Sequence, residues 1–199
     1  MKRALIVVDV QRDFCEGGAL AAANTLSLLE PLQRFIAAAR QAGVEIVFTQ
    51  DWHPLNHASF QSQGGPWPVH CVASSRGAEL MPPLDAAAGD MVIHKGASVE
   101  GAGYSGFENT GLREQLGALG VEEVAVCGVA TEYCVRATAI DAAAAEFDVT
   151  VLTDLIRPVA EGAVEGALRE MAGLAIVGME SGIWLGLRAA GRPSASLKP

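Results

Sequence analysis

Short apolar runs alternating with Ala-rich segments of helical period dominate this chain, and that alternation leaves few folds open. Ala4-Leu5-Ile6-Val7-Val8, Val44 to Thr49, Met91 to His94 and Val121 to Cys127 read as strands, with two more at Asp148 to Thr153 and Leu174 to Val177. Between the first two strands, Thr25 to Gln41 carries Leu26, Leu29, Leu32, Phe35 and Ile36 at helical spacing, with Gly43 as its stop. Further helices are expected at 111–119, from Cys134 to Ala145 and near 161–171. Strands alternating with helices predict β-α units with right-handed crossovers. The expected fold is therefore α/β, a six-stranded and mainly parallel sheet with helices on both faces.

In an open parallel sheet the carboxyl ends of the strands share one edge, where ligands bind. Asp9, Asp51, His53, Lys95 and Cys134 all fall at or just past such ends. A carboxylate, an ammonium, a thiol and a pair of metal-ligating groups are thus expected in one crevice. The segment from Asp51 to Pro83 is rich in Pro, Gly, Ser and His and shows little periodicity, so it reads as a long functional loop with one short helical turn.

Length and charge bound the remaining possibilities. The 199 residues predict one domain over 1–188, and the Gly191-Arg192-Pro193-Ser194-Ala195-Ser196 composition predicts a flexible tail over 189–199. With 14 Lys plus Arg against 23 Asp plus Glu the formal net charge is −9, which disfavours nucleic acid as a partner. Met1-Lys2-Arg3 leads straight into a short strand rather than a signal peptide, and no apolar stretch reaches the length of a membrane span. A soluble cytoplasmic protein without a membrane partner is expected. The four cysteines, Cys15, Cys71, Cys127 and Cys134, read as free thiols rather than a disulfide framework.

Cys134 stands apart from the others by position. Cys127 lies within a buried strand pattern and reads as a small core residue. With Thr131 as N-cap, Cys134 occupies the third helical position, where the positive helix end favours a thiolate. Asp9 and Lys95 at neighbouring strand ends supply a base for the thiol proton and a cation that holds the base ionised. Asp51-Trp52-His53 is a second signal, because residues two apart on an extended segment point to one side and can share an ion. His57 and His70 are the candidates for a further ligand. His70 follows the stiff Trp67-Pro68-Val69, whereas His57 reads as a hydrogen-bonding residue of a surface loop and His94 as turned away from Lys95.

Six segments together resemble the nicotinamidases and pyrazinamidases of the isochorismatase-like cysteine hydrolases. They are Asp9-Val10-Gln11-Arg12-Asp13-Phe14, Asp51-Trp52-His53-Pro54, Trp67-Pro68-Val69-His70-Cys71, Lys95-Gly96, Tyr104-Ser105-Gly106-Phe107 and Gly128 to Val135. The resemblance runs from about Leu5 to Val177. It implies a Rossmann-like three-layer sandwich that converts nicotinamide to nicotinate and ammonia through a thioester, with pyrazinamide also cleaved. By the same resemblance Asp9, Lys95 and Cys134 are catalytic, and a cis peptide precedes Ala130, whose N–H forms the oxyanion hole with that of Cys134. It further implies that Phe14 and Trp67 flank the substrate ring, with Tyr104 nearby as a third substrate-binding residue. The resemblance also implies that Asp51, His53 and His70 hold one divalent metal, zinc first, with iron or manganese as alternatives, and water in the open positions. A homo-oligomer is implied as well.

Three other readings compete with this one. Another hydrolase of the same superfamily, acting on a different small amide or on isochorismate, would use Asp9 and Lys95 but need no metal at the ring. A site of two His and one carboxylate also suits a non-haem iron oxygenase, in which Cys134 and Lys95 have no role. A non-catalytic metal-binding protein is the third, weakened because structural zinc usually takes four Cys or His ligands.

Overall fold

The computed structural model describes residues 1–187, so the expected tail at 189–199 lies outside the described residues. Six strands form one sheet, namely β1 (Lys2–Val8), β2 (Glu45–Asp51), β3 (Met91–Lys95), β4 (Val121–Val129), β5 (Asp148–Arg157) and β6 (Val177–Met179). Their spatial order is β3-β2-β1-β4-β5-β6, and every neighbouring pair is parallel. The sheet expected from the sequence is the sheet observed.

Period-two alternation in β1 sends its side chains to two different cores. Leu5 and Val7 pack with Leu28, Leu32, Phe35 and Ile36 of α1 (Leu26–Gln41) and with Trp184 of α5 (Ser181–Leu185). Ala4, Ile6 and Val8 face Leu112 and Leu116 of α2 (Leu112–Ala118), Ala139 and Ala142 of α3 (Arg136–Ala144), and Ala167 and Met171 of α4 (Val164–Gly173). Helices therefore cover both faces, and Ala4 through Val8 are fully buried. Each large apolar side chain so placed contributes about 1.5–3 kcal/mol of transfer free energy, which is why α1 folds onto the sheet despite Pro31 within it.

Two local expectations need correction. The last strand was expected at Leu174 to Val177, yet pairing covers only Val177–Met179 against Thr150, Val151 and Leu152. Helix α4 runs on to Gly173, Ala175 turns the chain at φ 63°, and Ile176 spends its apolar side chain on the core rather than on strand pairing. Thr131 was expected as an N-cap, but Ala130 holds that position and Thr131 opens a π-helical turn, Thr131–Val135. The Val135 N–H reaches back to the Ala130 carbonyl at 3.1 Å, so the widened turn takes in the residue expected to cap it.

Strand order reverses on either side of the β1 and β4 pair, the switch point at which a parallel sheet opens a crevice. Asp9 follows β1 there, and Cys134 follows β4. The long loop from Trp52 to Asp90 folds over this end, with two short 3-10 turns, Gln61–Gln63 and Arg76–Ala78, where one had been expected. No helix among the described residues is long and apolar enough to cross a membrane.

Candidate active site

Four adjacent strands, β3, β2, β1 and β4, each deliver one reactive group to the same edge. Lys95 and Asp51 are paired in register at the ends of β3 and β2. Asp9, at φ 51°, turns the chain off β1, and its N–H donates to the Thr49 carbonyl at 3.2 Å. Cys134 comes from the turn after β4. All four are buried, Asp9 completely and Lys95 to 1% exposure, so their charges must satisfy one another.

Lys95 is the hub of that arrangement. Its Nζ lies 2.7 Å from Asp9 Oδ2 and 2.5 Å from Asp51 Oδ1, donates to the Gly103 carbonyl at 2.8 Å, and sits 3.4 Å from Cys134 Sγ. Burial by itself lowers a lysine pKa, but the two carboxylates outweigh it and hold the ammonium well above its ordinary value. They divide the cation unequally. Burial would raise both acids, yet Lys95 and His53 pull Asp51 below the usual carboxylate range, whereas Asp9 stays raised, through burial and the neighbouring Asp51 charge. Asp9 is thus the member of the pair suited to take up a proton.

Sequence position alone had suggested a thiolate at Cys134. In the structure burial pushes the Cys134 thiol well above its ordinary value, and the opposing pull of Lys95 does not overcome it. The resting sulfur is a thiol and needs a base. A carboxylate oxygen of Asp9 lies within 4.8 Å of the sulfur, the arrangement that a base for this thiol would need.

Asp51 joins this cluster to a second one. Its Oδ2 lies 3.3 Å from His53 Nε2 and 3.9 Å from His70 Nε2, and the three ligand atoms fall within 4.8 Å of one another. His53 Nδ1 pairs with the Gly96 carbonyl at 2.9 Å and His70 Nδ1 with the Pro68 carbonyl at 2.7 Å. Each imidazole therefore presents Nε2 to the common point, the orientation that ligand histidines take from their outer hydrogen bonds. Two imidazoles and one carboxylate, all buried, fit a divalent metal with open positions. A second grouping of Asp9, Asp51 and Cys134 is equally close, but there the Lys95 ammonium already holds the cation's place.

Aromatic rings close the crevice. Phe14 lies 5.5 Å from the His70 ring, and the Trp67 indole N–H donates to the Tyr104 hydroxyl at 3.0 Å. Tyr133, next to Cys134 in the chain, stands edge-on to Trp67 at 5.1 Å and 5.7 Å from Tyr104. The peptide between Val129 and Ala130 is cis, as the resemblance implied.

The expectation that His57 hydrogen-bonds in the loop holds, but its placement at the surface was wrong. It is fully buried, stacked on His53 at 4.0 Å, with Nδ1 engaged by Ser59 and Nε2 without a hydrogen-bond partner among the described residues. Burial holds its imidazole down to about 4, so it walls the metal cluster as a neutral ring. His94 does turn outward, and stacks on Trp52 at 3.9 Å.

Sequence reasoning also missed the supports. Gln11 is buried, accepts from the Asp51 N–H at 2.8 Å and donates to the Asp51 carbonyl at 2.9 Å and the Ala78 carbonyl at 2.8 Å. Asp13 accepts from the Cys71 N–H at 2.7 Å, fixing the residue after His70 where the chain adopts φ 43°. Tyr133 was passed over as well. A polar pair within three residues of Phe14 and a tyrosine beside Cys134 were the available signals.

Known proteins resemble this chain in sequence and in fold. A nicotinamidase of Escherichia coli is 39% identical over 178 residues, covering 79% of this chain and 84% of that protein. A pyrazinamidase of Pyrococcus horikoshii, solved in complex with zinc, superimposes with a TM-score of 0.87 at 43% identity, covering 90% of this chain and 99% of that one. PnC1 from L. infantum, solved in complex with nicotinate, gives 0.83 at 37% identity over 90% of this chain and 93% of that one. Because the model of the isochorismatase domain also matches residues 3–181, nearly the whole described fold, the chain belongs to the isochorismatase domain family.

Proposed function

We propose that this chain is a metal-assisted cysteine amidohydrolase that converts nicotinamide to nicotinate and ammonia. One observation carries the reading above the others: Lys95 is shared between Asp9 and Asp51, so the nucleophile and the metal-ligand cluster form one buried unit. An oxygenase has no use for a thiol and an ammonium wired to its metal carboxylate. A non-catalytic metal site has no use for a raised, buried acid beside that thiol. The similarity to nicotinamidases and to structures holding zinc and nicotinate supports the substrate.

Asp9 Oδ2 takes the Cys134 proton, and the sulfur attacks the carboxamide carbon. The resulting oxyanion accepts hydrogen bonds from the N–H groups of Ala130 and Cys134. Asp9 returns its proton to the amide nitrogen, the C–N bond breaks and ammonia leaves a thioester behind. Asp9 then draws a proton from water, whose oxygen attacks the thioester carbon. Nicotinate departs, and the sulfur recovers a proton from Asp9. Lys95 keeps Asp9 ionised between these steps.

Phe14, Trp67 and Tyr104 enclose the pyridine ring and exclude bulk water. A divalent ion, zinc by this reading, held by Asp51, His53 and His70, supplies a Lewis-acid contact that orients the ring nitrogen. Pyrazinamide has a ring nitrogen in the same relation to its carboxamide and is cleaved too. A homo-oligomeric state and a cytoplasmic location complete the reading, tested by mass determination in solution and by fractionation.

The direct test is ammonia release from nicotinamide by the purified protein, with Cys134→Ala alongside. Release that depends on Cys134 is expected. Equal release by Cys134→Ala removes the thiol from the reaction, and no release by the wild type removes the substrate.

A further inference from the structure

The Tyr104-Ser105-Gly106-Phe107 segment has no part in the steps above beyond its tyrosine, yet Gly106 is tightly enclosed. A Cβ built at Gly106 would stand 2.9 Å from Thr49 Cγ2 and 3.5 Å from Thr138 Cγ2. The Gly106 N–H donates to Thr138 Oγ1 at 3.0 Å, which pins that backbone against α3. Gly106 is thus a flat wall against the methyl of Thr49.

Thr49 is fully buried on β2, two residues before Asp51, and pairs in register with Val8 of β1. A β-branched side chain has few χ1 choices. With its methyl seated on Gly106, its hydroxyl is directed at Asp9 and donates to Oδ1 at 2.6 Å. The Thr49 carbonyl meanwhile accepts from the Asp9 N–H at 3.2 Å. Thr49 grips Asp9 at both backbone and carboxylate. With Oδ1 so held, Oδ2 is the oxygen left for Lys95, at 2.7 Å, and the carboxylate lies within 4.8 Å of the Cys134 sulfur.

We propose that Thr49, braced by Gly106, is the positioning residue that sets the rotamer of Asp9 so that Oδ2 faces Cys134. Its hydroxyl and its carbonyl both bond Asp9, so it acts through that residue. The inference rests on the reading of Asp9 as the group that exchanges a proton with Cys134. Its consequence is that Thr49 affects the chemical step and not the binding of the ring.

The experiment uses Thr49→Val, Thr49→Ser, Gly106→Ala and the double variant Gly106→Ala with Thr49→Ser. Three readouts are taken: kcat and KM for nicotinamide, the rate at which iodoacetamide alkylates Cys134 without substrate, and the thermal midpoint. Thr49→Val keeps the methyl and loses the donor, so kcat should fall by at least about tenfold with KM little changed, and alkylation should slow in parallel. Thr49→Ser keeps the donor and should recover most of the rate. Gly106→Ala pushes on the Thr49 methyl and should lower kcat. The double variant removes that methyl and should restore it, a rescue that a general loss of packing does not produce.

Wild-type kcat and alkylation in Thr49→Val overturn the inference, as does a change confined to KM or a loss that Thr49→Ser leaves unrepaired. If Thr49→Val fails to fold, the Gly106→Ala pair decides: rescue by serine supports the inference, and no rescue overturns it. A wild type inert toward nicotinamide, with alkylation still slowed by Thr49→Val, would sink the proposed substrate and leave the positioning role standing.

Discussion

Replacing Lys95 by methionine tests the electrostatic argument most directly, because most of the unbranched side chain is kept while the cation disappears. Lys95 Nζ lies within 2.5–2.8 Å of Asp51 Oδ1, Asp9 Oδ2 and the Gly103 carbonyl, and neither acid has solvent to turn to. Removing one partner of a buried ion pair costs about 3–5 kcal/mol, since the other charge is left uncompensated. For a chain of this size that is a fall of about 6–20 °C in thermal midpoint at pH 8. The loss should depend on pH with a definite sign. Asp9 binds its proton more readily folded than unfolded, so its stabilising contribution is present below the unfolded pKa and disappears as pH rises through the raised folded value. Without Lys95 that folded value rises further, so the variant suffers most at pH 8 and recovers toward pH 5. Thermal unfolding of wild type and Lys95→Met at both pH values, monitored by calorimetry, is the assay. An equal penalty at pH 5 and pH 8, or none at pH 8, refutes the buried ion cluster as the source of the effect. Turnover should vanish at either pH.

Three further outcomes are expected. Gly128→Ala forces a Cβ to 2.2 Å from the Val8 carbonyl oxygen at φ 109°, a conflict with backbone that should cost about 3 kcal/mol or more in denaturant unfolding. The acid limb of kcat/KM should lie above the ordinary aspartate value of 3.8, because Asp9 must be ionised to receive the thiol proton and its pKa is raised; a limb at or below that value in a pH series counts against Asp9 as the base. Chelator treatment should raise KM for nicotinamide more than it lowers the thermal midpoint, and adding zinc back should reverse it. A collapse of the fold on chelation would instead assign the metal a structural role.

The alternation of β1, α1 and β2 was legible because both faces of a parallel strand are buried and helices keep period 3.6. Asp9, Asp51, Lys95 and Cys134 were legible for a related reason: a strand end is a fixed place in a parallel sheet. The ionisation of Cys134 was not. Helix position argued for a thiolate, but burial at 6% exposure outweighs the field of one turn of backbone, and burial is set by residues far away in sequence. His57 was misplaced for the same reason, since a polar residue in a loop rich in Pro and Gly gives no sign that the loop folds inward. Gln11, Asp13 and Thr49 act through hydrogen bonds to residues 40 to 67 positions distant, and no local pattern encodes such partners.

Sequence alone determined which side chains arrive at the sheet edge, because apolar periodicity and strand length dictate where each strand stops. Tertiary structure decided what state those side chains are in. Protonation, metal-ligand orientation and rotamer depend on desolvation and on neighbours brought from other strands, and these exist only once the sheet order β3-β2-β1-β4 has put Lys95 between Asp51 and Asp9.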